Sequence, residues 1–241
     1  MSPVYNHLNQ PVGAPVPDWT PPPWPPRAVM EGRYCRLEPL DPARHAEPLW
    51  EAFSLDKTGR NWTYLFYEPF ANFAAFHQWL KDFCRGHDPL FFAIIGRREG
   101  KPLGIASYLR IVPPVGCIEV GHIHYSLRLQ HTPIATEAMY LMMKNIFDLG
   151  YRRYEWKCDS LNAPSRAAAQ RYGFSYEGIF RQAIVYKGRN RDTAWYAMID
   201  SEWPALRAAF EKWLDPANFD AQGRQLLRLS DLTAPILKQI G

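Results

Sequence analysis

Between Cys117 and Tyr151 the apolar and polar positions predict a strand, a polar turn and a long helix. Cys117–Tyr125 is short and rich in β-branched and aromatic residues, the composition of a strand. Arg128 to Thr132 is a polar turn, and Pro133 stands at the first helical position with Thr132 before it as N-cap. Ile134, Ala138, Leu141, Met142, Ile146 and Leu149 then recur at helical spacing until Gly150 stops the run. A helix of roughly 16 residues at 1.5 Å rise is about 24 Å long, enough to cross one face of a sheet. Its first turn carries unpaired N–H groups and partial positive charge, so the loop opening onto it suits a phosphate or pyrophosphate.

The same patterning predicts the remaining elements. Gly32–Leu40 reads as a strand, and Asp41 caps a helix over Pro42–Phe53. Asn72–Arg85 is a second helix with Phe73, Phe76, Leu80 and Phe83 on one face. Leu90–Ile95 and Leu103–Val112 are strands joined by the turn GRREGKP. After the central unit come a strand at Arg153–Cys158, a short helix at Ala163–Tyr172 ended by Gly173, and strands at Tyr176–Tyr186 and Asp192–Ile199 joined by KGRNRD. Trp203–Leu214 closes with a helix. This order predicts an α/β fold with one mixed sheet. Residues 1–31 form a Pro-rich extension, 32–214 the domain, and 215–241 a tail expected to be surface decoration. Residues 1–27, with the run PPPWPP, are expected to wrap the domain outside any sheet or helix, with Trp19 and Trp24 as anchors. The loop KTGRNWTYLFYEPF is unusually aromatic, and Trp62 and Tyr64 within it serve either as a lid packed on the core or as an acceptor-binding wall.

Composition narrows the class. Of 241 residues 47% are hydrophobic, which is globular rather than disordered. The net charge is +4, with Lys and Arg scattered rather than banked. No nucleic-acid partner is expected, and a modest positive field suits a phosphate-bearing cofactor. The four cysteines lie far apart without C-x-x-C, so neither a disulfide framework nor a zinc site is implied. No run approaches the ~18 apolar residues of a membrane span and no signal peptide is evident, which points to the cytoplasm and away from a membrane partner.

Several pieces then fall into one family pattern. The strand carrying Glu119, the ATEA-type helix start, and the block NAPSRAAAQRYGFSYEGIFRQ with N-x-x-S followed by G-F-x-x-E-G-x-x-R resemble the GNAT acetyltransferase superfamily. Within it they look like the ribosomal-protein N-terminal (RimJ/RimL-like) branch. The resemblance spans about residues 32–203. It implies a mostly antiparallel twisted sheet, splayed at the central strand and flanked by helices, and acetyl transfer from acetyl-CoA to the primary amine of a small molecule or a peptide. It also implies that backbone groups of Tyr125, Ser126 and Leu127 pair with the pantetheine arm like an added strand. The pyrophosphate would sit on the amides from Gln130 through His131, Thr132, Ile134 and Ala135 to Thr136. Asn162 would bond the pantetheine from the other side. Ser165, one helical turn on, would protonate the leaving thiolate.

The sequence departs from that pattern at three places. Pro133 replaces the first glycine of the phosphate loop and removes one donor, with His131 or Arg128 available to compensate. Ala169 stands where many relatives have a tyrosine, and Tyr172 would point elsewhere on the helix. Ile184 stands near the place of the branch's strand glutamate, which leaves Glu119 as general base, directly or through water. On a regular strand Glu119, Gly121, Ile123 and Tyr125 share one face and His122 and His124 the other, unless a bulge intervenes. Two histidines without a third ligand read as sheet residues, and no metal is expected. Asp159 at a strand end either attracts a cationic amine or caps the following loop. A catalytically weak acyl-CoA-binding protein and a peptide-binding protein are the competing readings, and a homodimeric assembly stays open.

Overall fold

The computed structural model describes residues 3–241; Met1 and Ser2, the start of the expected extension, lie outside the described residues. Two short pairs of residues, β1 (Val4–Tyr5) and β2 (Pro11–Val12), form an isolated antiparallel ladder. Then follow β3 (Met30–Glu31), β4 (Cys35–Pro39), α1 (Pro42–Phe53), α2 (Phe73–Phe83), β5 (Leu90–Gly96), β6 (Pro102–Val112) and β7 (Cys117–Tyr125). The second half comprises α3 (Pro133–Asp148), β8 (Arg153–Asp159), α4 (Ala163–Arg171), β9 (Ser175–Tyr186), β10 (Arg189–Ile199), α5 (Trp203–Trp213) and α6 (Leu229–Thr233). Asp41 and Thr132 cap their helices as the sequence suggests, and Asn72 and Asn162 cap theirs as well. The side chains of Asp41, Asn72, Thr132 and Asn162 accept from the amides of Ala43, Ala75, Ala135 and Ser165. The final hairpin turns more tightly than KGRNRD predicts. Lys187 and Gly188 both take positive φ, the two-residue geometry that matches strand twist, and β10 starts at Arg189.

Eight strands form one sheet in the order β3-β4-β5-β6-β7-β8-β10-β9, antiparallel except for β7 against β8. The larger core packs α3, α5 and α6 on one face through residues such as Met139, Met142, Ile146, Phe210 and Leu229. The second core puts α1 and α2 on the other face through Leu49, Phe53, Phe76 and Leu80, with Trp62 buried among them. α3 is also tied to the turn before β4. The carboxylate of Glu137 accepts from the amides of Arg33, Tyr34 and Cys35 at 2.8, 2.6 and 2.7 Å. Gly32 is required there, because a Cβ would lie 2.5 Å from that carboxylate and 2.9 Å from the Cys35 carbonyl.

Three expectations are corrected. Trp19 anchors the N-terminal arm, its indole near Pro114 O and the Arg152 guanidinium over its ring, but Trp24 is 44% exposed and the buried contacts are Pro22 and Pro25. The arm also enters a sheet after all, at β1 and β2, a two-stranded pair that is all edge, where a proline such as Pro11 is tolerated. The tail is structural rather than decorative: Phe219 packs on Trp213, Leu229 is fully buried, and the Tyr176 amide bonds Gln239 O. Among the described residues no helix is long and apolar enough to cross a membrane.

Candidate active site

The parallel strands β7 and β8 stay together only from Cys117↔Arg153 to Val120↔Trp156. Beyond Val120 they splay, and a cleft of about 1840 Å³ opens between them. Its walls are the second half of β7, the loop into α3, the end of β8, the start of α4, parts of β9 and β10, the aromatic loop and the tail near Arg224. A strand with one free edge and a helix start facing the same gap are the elements an extended, phosphate-bearing ligand needs.

Hydrogen-bond accounting on the α3 side reduces the expected set of amide donors. The Gln130 amide goes to Ser126 O, and that of Ala135 to the Thr132 hydroxyl. The Thr136 amide enters the helix ladder. His131 and Thr132 make no backbone bond among the described residues, and Ile134 sits where a helix leaves its N–H free. Pro133 is N1, as the pattern predicts, and His131 reaches it through a left-handed φ of 60°. Gln130 is a brace, its side-chain amide bonding Tyr125 O and Asn61 Oδ1. Ser126 and Ile134 do not line the cleft, and the Ser126 amide is committed to Leu103 O on β6; Tyr125 and Leu127 remain at the opening. Arg128 does not line it either. Arg171, which donates to the Thr136 hydroxyl at 3.1 Å and covers the Trp213 ring, and Arg224 supply positive charge there instead.

At the fork, α4 and β7 bring two reactive groups to its two sides. Asn162 caps α4 with its oxygen, which leaves its NH₂ for a ligand. Ser165 Oγ accepts from Trp156 Nε1 at 3.0 Å beside the buried Cys158, whose thiol burial pushes up. Glu119 is 3% exposed, with Arg110 Nη1 at 2.7 Å from both oxygens and Lys157 Nζ at 2.8 Å from Oε2. Arg110 reaches it because β6 bulges: Arg110 takes φ 47° and the Asp88 carboxylate binds the amides of Arg110 and Ile111. Lys157 also bonds Glu155 at 2.7 Å and lies 3.8 Å from the Trp195 ring centre. Ala169 is fully buried in the core, where no acid could act. Tyr172, contrary to expectation, lines the cleft, its phenol pushed up by burial near Arg171 and Thr136.

A bulge decides which groups face the acceptor side. Ser107 pairs Gly121 and Ile105 pairs His124, so β7 carries one extra residue at His122, whose φ is 49°. Ile118 and Val120 point into the larger core before the bulge, Ile123 and Tyr125 after it. The regular alternation is therefore overturned: Glu119 shares its face with His122 and His124, not with Tyr125. Both histidines are packing residues. His124 stacks 3.9 Å from Phe53 and meets Trp62 edge-on, its ring nitrogens unbonded; His122 packs on Phe91, Phe83 and Tyr67. Burial pulls His122 down to about 4 and His124 down to about 3. The unfolded chain titrates near 6.5, so their cost is absent above that pH and grows as pH falls toward the folded values. His124→Phe is expected to cut the stability lost between pH 7 and pH 5 by about 2 kcal/mol, read from urea unfolding. An unchanged loss would show that His124 is not held neutral.

The aromatic loop roofs the acceptor side. Tyr64 donates to Leu161 O at 3.1 Å, and Lys187 bonds Trp62 O at 2.9 Å and the Glu68 carboxylate. Trp62 is 5% exposed and belongs to the second core, so of the two proposed wall residues only Tyr64 faces the cleft. Asp159 caps the loop through Leu161 N at 2.9 Å and accepts from Tyr186 OH at 2.9 Å. Burial, with that bond, pushes the Tyr186 phenol up to about 12 and keeps it a donor. Ile184 lines the cleft where the branch's glutamate was sought. Sequence reasoning missed Arg110, Lys157 and Arg191. The alternation Glu155, Lys157, Asp159 on an interior strand was the available signal, since buried charges on one strand face seldom lack a task.

The family model described as an acetyltransferase (GNAT) domain matches residues 35–175, more than half of the chain. The structure resembles a GCN5-related N-acetyltransferase from Brucella melitensis at 48% identity and TM-score 0.89, covering 91% of this chain and 100% of that one. It also resembles a GNAT-family protein from Chromobacterium violaceum at 40% identity and TM-score 0.76, covering 81% and 98%. A RimL ribosomal L7/L12 alpha-N-protein acetyltransferase shares the fold at 20% identity and TM-score 0.60, covering 71% and 94%. No curated protein matches the chain. A splayed central sheet with a helix start at the fork is thus that of an acetyltransferase. The chain belongs to the GNAT superfamily.

Proposed function

We propose that this acetyltransferase is an acetyl-CoA-dependent N-acetyltransferase of the cytoplasm, with RimJ/RimL-like machinery, acting on the primary amine of a small molecule or a peptide. The observation that carries this is the fork at Val120, where Glu119 and Ser165 stand on opposite sides of one gap. The free edge of β7 at Tyr125, with Leu127 in the loop beyond it, would hold the pantetheine amides, with the Asn162 NH₂ opposite. The amides of His131 and Thr132, with Arg171 and Arg224 near, fit the phosphates, so the donor lost to Pro133 is offset. Glu119 takes the proton the attacking amine sheds, after exposed Arg110 yields one oxygen. As the C–N bond forms and the C–S bond breaks, Ser165 gives its proton to the departing sulfur, its oxygen stabilised by the Trp156 N–H. A second reading, acyl-CoA binding without turnover, draws on Pro133, Ala169 and Ile184. It is separated by whether amines release free CoA.

Saturating acetyl-CoA is expected to raise the melting temperature by about 5 °C or more, since it binds the folded state alone. Coenzyme A should match it and free adenine should not. No shift at millimolar acetyl-CoA would overturn the proposal.

A further inference from the structure

The acceptor side of the cleft holds a charged group with nothing to bind. Arg191 is 5% exposed and lines the cleft, yet it makes no ion pair or hydrogen bond among the described residues, and its Nε is sealed from water without a partner. The rings of Phe66 and Tyr186 flank the guanidinium at 5.1 and 5.7 Å. Thr193 and Trp195 follow on the same face of β10, and Thr193 Oγ1 and Trp195 Nε1 are likewise buried without partners. Across from Thr193 in the β8–β10 ladder is Asp159, held off from Arg191 by its bonds to Leu161 N and Tyr186 OH. An unpaired buried cation is costly, and a fold tolerates it best where a ligand completes it. A planar guanidinium fork is shaped for a carboxylate.

We propose that Arg191, with Thr193 and Trp195, forms an acceptor subsite for a carboxylate, and that the substrate is a small amine bearing a carboxylate, of the α-amino-acid type. This deepens the N-acetyltransferase reading and rests on it. The geometry fits a zwitterion. A carboxylate enters the Arg191 fork while the amine lies toward Asp159 and Glu119, two of the acids that line the same cleft. A uniform positive pocket would repel that ammonium; a guanidinium and a carboxylate left apart accept both ends. The lid, tied down through Tyr64 and Lys187, favours a small molecule over a folded protein end.

The test compares the twenty α-amino acids with their α-amides, by CoA release with acetyl-CoA and by thermal stabilisation without it. Preferred acids should exceed their amides in kcat/KM by on the order of 30-fold, as loss of charge-assisted hydrogen bonds predicts. Arg191→Gln should collapse that ratio toward one, and Arg191→Lys, which keeps the charge but loses the fork, should leave an intermediate ratio in folded protein. Equal rates for acid and amide, a ratio untouched by Arg191→Gln, or preference for a dipeptide amide would overturn the subsite, the last in favour of a peptide terminus. Acetyl-CoA stabilisation in the same samples reports on the cofactor side alone. If it is absent the N-acetyltransferase reading fails, and stabilisation by the amino acids still decides the subsite: Arg191-dependent binding sustains it, and no binding removes it.

Discussion

Glu119→Gln is expected to lower kcat by about 100-fold or more, with KM for acetyl-CoA changed by no more than a few-fold. The substitution keeps the shape of the side chain and removes the acceptor of the amine's proton. The fold should survive it. Lys157 keeps Glu155 as a partner at 2.7 Å, and Arg110 is half-exposed and can turn to water. Ser165→Ala should cost less, roughly 10-fold, because solvent at the cleft can protonate a departing thiolate, a good leaving group. The decisive measurement is the pH dependence of kcat/KM. If Glu119 is the base, the acidic limb disappears in Glu119→Gln. If the limb persists and only the melting temperature falls, Glu119 is an ion-pair residue that positions Lys157 and Arg110, and the amine loses its proton to water.

The largest loss of stability is expected from Glu137→Ala, about 4 kcal/mol by urea unfolding. The carboxylate is 4% exposed and collects the amides of Arg33, Tyr34 and Cys35. Truncation leaves all of these donors without a partner where little water reaches. Glu137→Gln retains one acceptor oxygen but opposes an NH₂ to a donor, so roughly half the loss is expected. An effect below about 1 kcal/mol in both variants would mean that the turn rearranges to recover its bonds. Because Glu137 lies one turn into α3, Glu137→Ala should also loosen the helix start at the fork and weaken acetyl-CoA stabilisation.

The strands and helices were legible because each buries one side in a thick core and so keeps a clean apolar period. The fork was legible through the spacing of Asn162, Ser165 and the G-F-x-x-E-G run, a motif rather than a period. What stayed hidden depends on contacts far apart in sequence. Arg110 faces Glu119 only because Asp88 captures two amides and turns the backbone over. Lys157 and Arg191 gain meaning only when β8 and β10 lie side by side. Trp62 and Trp24 illustrate the same limit in opposite senses: tryptophans in stretches without a strand or helix period, one sealed in a core and the other 44% exposed. The tail misled because its apolar residues follow no strand or helix period, yet Phe219, Leu229, Leu232 and Ile236 pack on the larger core.

The extra residue at His122 makes β7 two half-strands in opposite phase. The half bearing Glu119 sends odd-numbered side chains toward the acceptor; the half ending at Tyr125 sends even-numbered ones. A single deletion anywhere in the strand would bring the halves into phase and exchange one set of partners wholesale, either pressing the glutamate into the methionine-rich core or turning Tyr125 onto the lid. Length changes in this strand can therefore be accepted only in pairs. Relatives of this enzyme should vary freely in the loops that end β7, yet keep a constant count of residues between the acid and the fork.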